Sequence, residues 1–213
     1  MKPIIIGSVP VRETKDALDI LLKRGHSCDL IELRLDYLPS IDYGIFNKIK
    51  NFRDIVILTV RAHEEGGVYD IPRDERKDFL MEAIASGFKV DAEISLMSDF
   101  EDLYPFIASA HFVNRVPDEI SIQRKIDSIR GKCSYVKIAY KPNNRSKAIM
   151  FGILSKNDNI AVMELGGEPI NRVAFSLLGS RLIYCHIGEP TANGQMNCLR
   201  VRNIIDCLWE NND

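Results

Sequence analysis

The residue with the most distinctive chemical setting in this sequence is a lysine inside an apolar stretch. Residues 133–140 are rich in β-branched and aromatic side chains, and Lys137 is their only charge. This pattern predicts a buried β-strand with Lys137 near its C-terminal end. Burial disfavours the ammonium and lowers its pKa, and a neutral amine is a nucleophile toward carbonyl carbon. The alternative is an edge-strand lysine whose ammonium reaches solvent.

Other residues suited to acid–base chemistry or anion binding also follow apolar runs. Arg61 and Glu65 come after one such run, and His111 comes after another. Histidine transfers protons near neutral pH, and arginine binds carboxylates through two hydrogen bonds. His63 and His186 compete with His111 for the proton-transfer role, and their positions in the sequence do not separate the three.

Two further predicted strands carry charges on one face. In residues 29–35, Glu32 and Arg34 share a face because side chains alternate along a strand. A strand covered on both sides would direct these charges into an interior, where each needs a partner. Asp91 and Glu93 share a face in the same way, and the alternative to a site role for Arg34 is a structural ion pair with Glu32 or Asp91.

These residues need a framework that brings several strand ends together. The sequence contains about eight strand candidates that mostly alternate with helices, which is typical of βαβ units with parallel pairing. Eight such units predict an α/β fold, the (β/α)₈ TIM barrel, in which chemistry occurs at the C-terminal strand ends. The alternative is an open doubly wound sheet, although no Gly-x-Gly-x-x-Gly follows any strand. No linker interrupts the chain, so residues 1–213 are expected to form a single barrel domain.

Composition narrows the classes of function. The 213-residue chain has 28 basic and 30 acidic residues and no basic block, so nucleic acid is not an expected partner. It has no apolar run of about 18 residues and no signal-peptide pattern, so we expect a soluble, cytoplasmic protein without a membrane span. The five cysteines lack metal-ligand spacing and are expected to be reduced, and no histidine pairing predicts a metal site.

Four short segments occur in an order and spacing that chance does not readily produce. They are Glu32-Leu33-Arg34-Leu35-Asp36, Thr59-Val60-Arg61 followed by Glu65-Gly66-Gly67, Val136-Lys137-Ile138-Ala139, and the Gly194-Gln195 loop. With them the chain resembles the type I 3-dehydroquinate dehydratases over nearly its whole length. The resemblance implies a (β/α)₈ barrel that dehydrates 3-dehydroquinate to 3-dehydroshikimate in the shikimate pathway. It also implies an imine on a lysine, no metal or organic cofactor, and a possible homodimer.

The resemblance also assigns roles to individual residues. Lys137 is the expected imine-forming lysine, His111 the proton-transfer histidine, and Glu65 the carboxylate that orients it. The expected substrate-binding residues are Ser8, Glu32, Arg34, Arg61, Arg172, Thr191 and Gln195. Arg172 is assigned to the substrate carboxylate, and Thr191 and Gln195 belong to a loop that closes over the substrate.

The sequence departs from the family pattern at two points. Phe112 follows His111 directly, where the family commonly has an intervening acidic residue, and Asn193 replaces a proline in the closing loop. The first departure affects the placement of the imidazole, and the second predicts a more flexible loop before closure. Two other functions stay open at this point. One is another Schiff-base enzyme, such as a class I aldolase, and the other is a barrel that binds a small carboxylate without turning it over.

Overall fold

Eight apolar segments lie side by side as parallel strands in the computed structural model of this protein, which describes residues 1–23, 27–100 and 102–209. The strands are β1 (Ile4–Pro10), β2 (Leu30–Arg34), β3 (Val56–Thr59), β4 (Lys89–Glu93), β5 (Ile107–Phe112), β6 (Tyr135–Tyr140), β7 (Ile160–Glu164) and β8 (Leu182–His186). The α-helices are α1 (Asp16–Lys23), α2 (Ile45–Ile49), α3 (Arg73–Ala85), α4 (Glu119–Ser128), α5 (Asn144–Lys156), α6 (Ile170–Leu177) and α7 (Cys198–Trp209). None of the helices in these ranges is long and apolar enough to cross a membrane.

The strands form a nearly closed ring. Hydrogen bonding links them in the order β7-β6-β5-β4-β3-β2-β1-β8. At the remaining seam, Arg181 N donates to Ile160 O at 2.8 Å and Val162 N donates to Ser180 Oγ at 3.0 Å. α-Helices connect successive strands on the outside, except between β4 and β5, where the connection contains the 3₁₀ helix Ile94–Asp99. This architecture confirms the predicted (β/α)₈ barrel rather than the open doubly wound sheet.

Side-chain alternation along the strands creates a polar layer above an apolar floor. Toward the start of the strands, inward residues such as Ile57 and Ile107 pack together in the barrel interior. Two positions further on, the inward residues are Thr59 and Ser109, both fully buried. Outward residues pack against the helices in a larger apolar core that includes Phe79. The polar residues are therefore confined to the half of the interior that leads to the carboxyl ends of the strands.

Two elements that carry predicted site residues differ from the sequence prediction. His111 was expected to follow an apolar run, but β5 runs from Ile107 to Phe112 and includes His111. Lys137 lies in the middle of β6 rather than near its end. Its neighbours in the parallel ladders are Ser109 of β5 and Ala161 of β7. Both site residues are consequently held by strand hydrogen bonds and not by loops.

The prediction that all five cysteines are reduced is wrong for two of them. Cys185 of β8 and Cys198 at the start of α7 form a disulfide, with Cα atoms 5.1 Å apart. This separation lies within the range that disulfides require. The bond encloses the loop that carries Thr191 and Gln195. The pairing depends on the fold, because β8 and α7 bring together two residues that are 13 positions apart in the chain.

Gly67 gives a test of how tightly the loop after β3 is built. Its amide donates to Ala62 O at 2.9 Å, and a methyl group on its Cα would collide with the carbonyl oxygen of Arg61. We predict that Gly67→Ala lowers the free energy of unfolding, measured by urea denaturation, by about 3 kcal/mol. Gly131→Ala is the control, because Gly131 has a φ of 76° but no atom within 4 Å of the added carbon. That change should cost about 1 kcal/mol, and equal losses would contradict the expected clash.

Candidate active site

Nine of the ten predicted site residues line one cavity of about 480 Å³ at the carboxyl ends of the strands. They are Glu32, Arg34, Arg61, Glu65, His111, Lys137, Arg172, Thr191 and Gln195. The tenth, Ser8, lies beside the cavity and donates a hydrogen bond to Glu32 Oε2 at 2.5 Å. Among the histidines that the structure describes, His111 lines the cavity and His63 and His186 do not. The structure therefore brings together residues that are spread over the whole sequence.

Lys137 Nζ is surrounded by acidic and aromatic groups. It donates a hydrogen bond to Asp91 Oδ2, lies 4.0 Å from Glu32 Oε1 and stands 4.3 Å from the ring centroid of Tyr184. Burial lowers the pKa of Lys137 and outweighs the opposing effects of Asp91 and Glu32, while Arg61 lowers the pKa further. The amine is therefore nearer to its neutral, nucleophilic form than a lysine on the surface.

Asp91 is the acidic centre of this buried network. Its Oδ1 accepts a hydrogen bond from Ser109 Oγ at 2.5 Å and forms an ion pair with Arg61 Nη2 at 2.8 Å. Burial raises the pKa of Asp91, but Arg61 and Lys137 together lower it below its ordinary value. Asp91 thus stays ionised between two cations. Asp91 was not among the predicted site residues, although a charge at an inward position of a buried strand was the signal that could have identified it.

The ion pair of Arg34 is with neither of the two alternative partners, Glu32 and Asp91, but with Asp36. Its Nε and Nη2 donate to the two carboxylate oxygens of Asp36, each at 2.7 Å. Asp36 lies just past the end of β2, where the chain turns and brings the carboxylate back toward the arginine. Glu32 is left to accept hydrogen bonds from Ser8 and from Thr59 Oγ1, the latter at 2.9 Å.

His111 and Glu65 form a hydrogen-bonded pair at the cavity wall. Glu65 Oε2 lies 2.8 Å from His111 Nδ1 and accepts a second hydrogen bond from the His111 backbone N at 3.0 Å. Burial raises the pKa of Glu65 to about 7, against the lowering effect of Arg61. Burial also holds the pKa of His111 well below its ordinary value, with further lowering from Arg61 and Lys137. The imidazole is therefore neutral at pH 7, and with Nδ1–H donated to Glu65 its Nε2 can accept a proton.

The direct succession of His111 and Phe112 does not displace the imidazole from its partner. His111 pairs with Ala139 in the parallel ladder between β5 and β6, and Phe112 is the last residue of β5. The strand register therefore fixes the backbone of His111, and its side chain reaches Glu65 from there.

A loop between β8 and α7 lies over the cavity. Thr191 Oγ1 is 2.7 Å from Ser8 Oγ, and Thr191 N donates to Gln195 Oε1 at 2.8 Å. Tyr37 OH donates to Thr191 O at 3.4 Å. The carbonyl oxygen of Asn193 accepts a hydrogen bond from the amide of Gly166 at 3.1 Å. These contacts join the loop to β1, to the segment after β2 and to the segment after β7.

Arg172 places a buried cation on the cavity wall. It lies in the first turn of α6, where Nη1 donates to Tyr184 O at 3.0 Å and Nη2 donates to Glu164 O at 3.1 Å. Burial lowers the pKa of Arg172 to about 10, so it remains positively charged at neutral pH. No carboxylate forms an ion pair with Arg172 within the described ranges. Its charge is therefore available to an anionic ligand.

These groups together suit an anionic carbonyl compound. The cavity offers a buried amine, a neutral imidazole with an orienting carboxylate, and arginines that attract negative charge. Amine attack on a ketone and proton transfer beside it are both possible in this arrangement. In the part of the chain that the structure describes, no group of three or more His, Cys, Asp or Glu side chains is placed to hold a metal ion.

The titration of His111 tests this electrostatic description. We predict that its imidazole, followed by NMR and assigned with His111→Asn, titrates with a midpoint below 6.5, because burial and two nearby cations disfavour its charged form. Lys137→Met should raise the midpoint, since it removes a cation that lowers the pKa of His111. Lys156→Met is the control, because this lysine is 58% exposed and forms an ion pair with Glu119. A midpoint of 6.5 or higher in the unaltered protein would contradict the description.

Comparison with known proteins identifies the family. The family model of the type I 3-dehydroquinases matches residues 5–212. The 3-dehydroquinate dehydratases of Sulfolobus acidocaldarius and Metallosphaera sedula are each 31% identical, over 98% of this chain and 94% and 99% of theirs. The crystal structure of 3-dehydroquinate dehydratase from Geobacillus kaustophilus has a TM-score of 0.82 at 20% identity, covering 100% of this chain and 93% of that one, which supports the fold alone. The resemblance seen in the sequence is confirmed, and this chain belongs to the type I 3-dehydroquinase family.

Proposed function

We propose that Lys137, His111 and Glu65 carry out the dehydration of 3-dehydroquinate to 3-dehydroshikimate, the shikimate-pathway reaction of this hydro-lyase family. One observation supports this assignment above the others. The amine of Lys137, the His111–Glu65 pair and the charge of Arg172 all line the same cavity. A barrel that only bound a carboxylate would need the arginine but not a buried amine beside a neutral base.

The reaction begins with the amine of Lys137. After it gives up a proton, Nζ attacks the C3 carbonyl carbon of the substrate, and the resulting carbinolamine loses water to form an iminium. The lowered pKa of Lys137 increases the fraction of amine that is neutral and able to attack. The iminium draws electrons from the neighbouring C2–H bond and makes that proton more acidic. The lysine thus provides an electron sink from the chain itself.

His111 then moves the proton. Its Nε2 removes a proton from C2, which gives an enamine and an imidazolium. The Nδ1–H of this imidazolium stays hydrogen-bonded to Glu65. The enamine expels the C1 hydroxyl group, which takes the proton from His111 and leaves as water. Hydrolysis of the product imine releases 3-dehydroshikimate and restores Lys137. Acid–base assistance of this kind contributes about 10²–10⁴-fold to a rate, so Lys137 substitutions should cost more than Glu65 substitutions.

The remaining predicted residues bind and enclose the substrate. Arg172 holds the carboxylate, because its charge lacks an ion pair within the described residues. Glu32, Arg34 and Arg61 face the cavity from β2 and from the segment after β3, and we assign them to the polar groups of the substrate. Ser8 joins the closing loop to the barrel through Thr191, and Gln195 holds Thr191 from within the loop.

Two broader features of the protein also belong to the proposal. We propose a homodimer, supported by exposed apolar side chains on the neighbouring helices α5 and α6, among them Phe151, Ile170 and Leu177. Light scattering that gave the monomer mass would contradict this.

We propose a cytoplasmic location, because the family takes part in biosynthesis from small soluble metabolites. Cell fractionation measures where the protein is located.

Borohydride trapping tests the covalent route. Borohydride added with 3-dehydroquinate should reduce the imine and leave a stable adduct on Lys137, detected by intact mass and peptide mapping. Lys137→Met should give no adduct and no turnover, measured by absorbance of the conjugated enone product. His111→Asn should still form an adduct, because His111 acts after the amine attacks, while turnover falls by about 10²-fold or more.

Three results would contradict the proposal in different ways. Turnover without an adduct would exclude the imine route. An adduct with another keto acid but no turnover of 3-dehydroquinate would favour a different Schiff-base lyase. Near-normal turnover of His111→Asn together with inactivity of His63→Asn or His186→Asn would overturn the choice of histidine.

A further inference from the structure

Arg76 is a buried arginine outside the cavity. It lies on α3, and its side chain is 5% exposed. Its Nη1 donates to the carbonyl oxygen of Ile71 at 2.6 Å. Removing a guanidinium from water is costly, and an apolar side chain of similar size is often equally stable or more stable at such a position. An arginine buried here therefore requires an explanation beyond packing.

Glu93 faces Arg76 from the end of β4. Arg76 Nε is 3.9 Å from Glu93 Oε2, and neither atom has a hydrogen-bond partner in the described part of the chain. The other oxygen, Oε1, accepts hydrogen bonds from Arg61 Nη1 and Ala62 N, each at 3.0 Å. Glu93 thus lies between a guanidinium in the barrel interior and a second one on the surrounding helix.

Arg76 also approaches the turn that carries Glu65. Its Nη2 is 4.0 Å from Glu64 Oε1, and Glu64 precedes Glu65 in the 3₁₀ turn His63–Glu65. Because Glu64 is largely exposed, this ion pair is weak. The link through Glu93 is therefore the stronger one, and it ends at Arg61 and Ala62, immediately before the turn.

We propose that Arg76 is a positioning residue for the dehydration reaction, acting through Glu93 to fix the segment from Arg61 to Glu65 beside His111. Arg76 touches neither the cavity nor the reacting atoms. The inference rests on the proposed function, since the placement of Glu65 affects turnover only if His111 transfers protons there.

The charge of Arg76 predicts a specific effect on pH dependence. The charged groups that face the Glu65–His111 pair are Arg34 from β2, Arg61 after β3, Asp91 and Glu93 from β4, and Lys137 from β6. Arg76 offsets the negative charge of Glu93. Without Arg76, the field of Glu93 favours the protonated form of the pair more strongly. Activity that needs the deprotonated pair should then be lost at a higher pH than in the unaltered enzyme.

The pH profile of kcat/KM for Arg76→Met measures this effect. The methionine keeps much of the side-chain length and removes the charge. We expect the acid limb to move up by about 0.5–1 pH unit, which corresponds to about a 3- to 10-fold loss of kcat/KM on that limb. Arg76→Lys should return the limb toward its original position, because it restores a cation. Arg76→Gln, which keeps a donor for the carbonyl of Ile71, serves as a second neutral variant if the methionine variant does not fold.

Arg73→Met is the matched control. Arg73 lies on the same helix, but its side chain is 48% exposed and forms an ion pair with Asp99, away from Glu93. This variant should leave the pH profile unchanged. Thermal unfolding of every variant separates a loss of stability from a change in the limb.

The outcomes separate this inference from the proposed function. The inference would be overturned if the acid limb did not shift in a neutral variant that folds, while the unaltered enzyme was active and trapped by borohydride. Arg76 would then be a structural residue. A shift that Arg76→Lys fails to reverse would also overturn it, because charge would not be the cause. Failure of the unaltered enzyme to dehydrate 3-dehydroquinate would instead overturn the proposed function.

Discussion

The ion pair between Lys137 and Asp91 is the interaction on which the rest of the site depends. A lysine in the middle of β6 points into the barrel, where an ammonium without an anion would be strongly unfavourable. Asp91 supplies that anion and is itself supported by Arg61 and Ser109. Two effects on Lys137 oppose each other. Asp91 stabilises the ammonium, while burial lowers the pKa of Lys137 toward the value that a nucleophile needs.

The architecture explains why so many charges lie in one interior. Parallel strands bury both faces, so every inward polar side chain needs a partner from another strand. Ser8 supports Glu32 from β1, Arg61 reaches Asp91 from the end of β3, and the turn after β3 brings Glu65 to His111 on β5. Each contact joins residues of two different strands or of the segments that follow them. The site is thus rigid where strands hold it, and the loop between β8 and α7 is the part that covers it.

Local patterns predicted the barrel and the charged positions on its strands, and the family resemblance added Arg172, Thr191 and Gln195, which also line the cavity. Apolar runs alternating with helices predict parallel strands, and charges at alternating positions mark inward faces. The specific partners were harder to predict, since they depend on register and on how strands stagger around the ring. Arg34 turned out to bond with Asp36, Asp91 with Lys137, and Cys185 with Cys198. None of these pairings follows from spacing alone. The catalytic roles of the cavity residues remain predictions.

The central claim is that burial lowers the pKa of Lys137 by more than the ion pair with Asp91 raises it. A direct determination of that pKa in the free protein tests this claim most closely. In protein labelled with ¹³C at lysine Cε, the resonance that disappears in Lys137→Met belongs to Lys137, and its shift with pH gives the midpoint. We expect that midpoint to lie below 10.5, the ordinary lysine value, because burial outweighs the stabilisation from Asp91. A midpoint of 10.5 or above would show that the ion pair dominates, and would contradict the description of Lys137 as an amine prepared for attack.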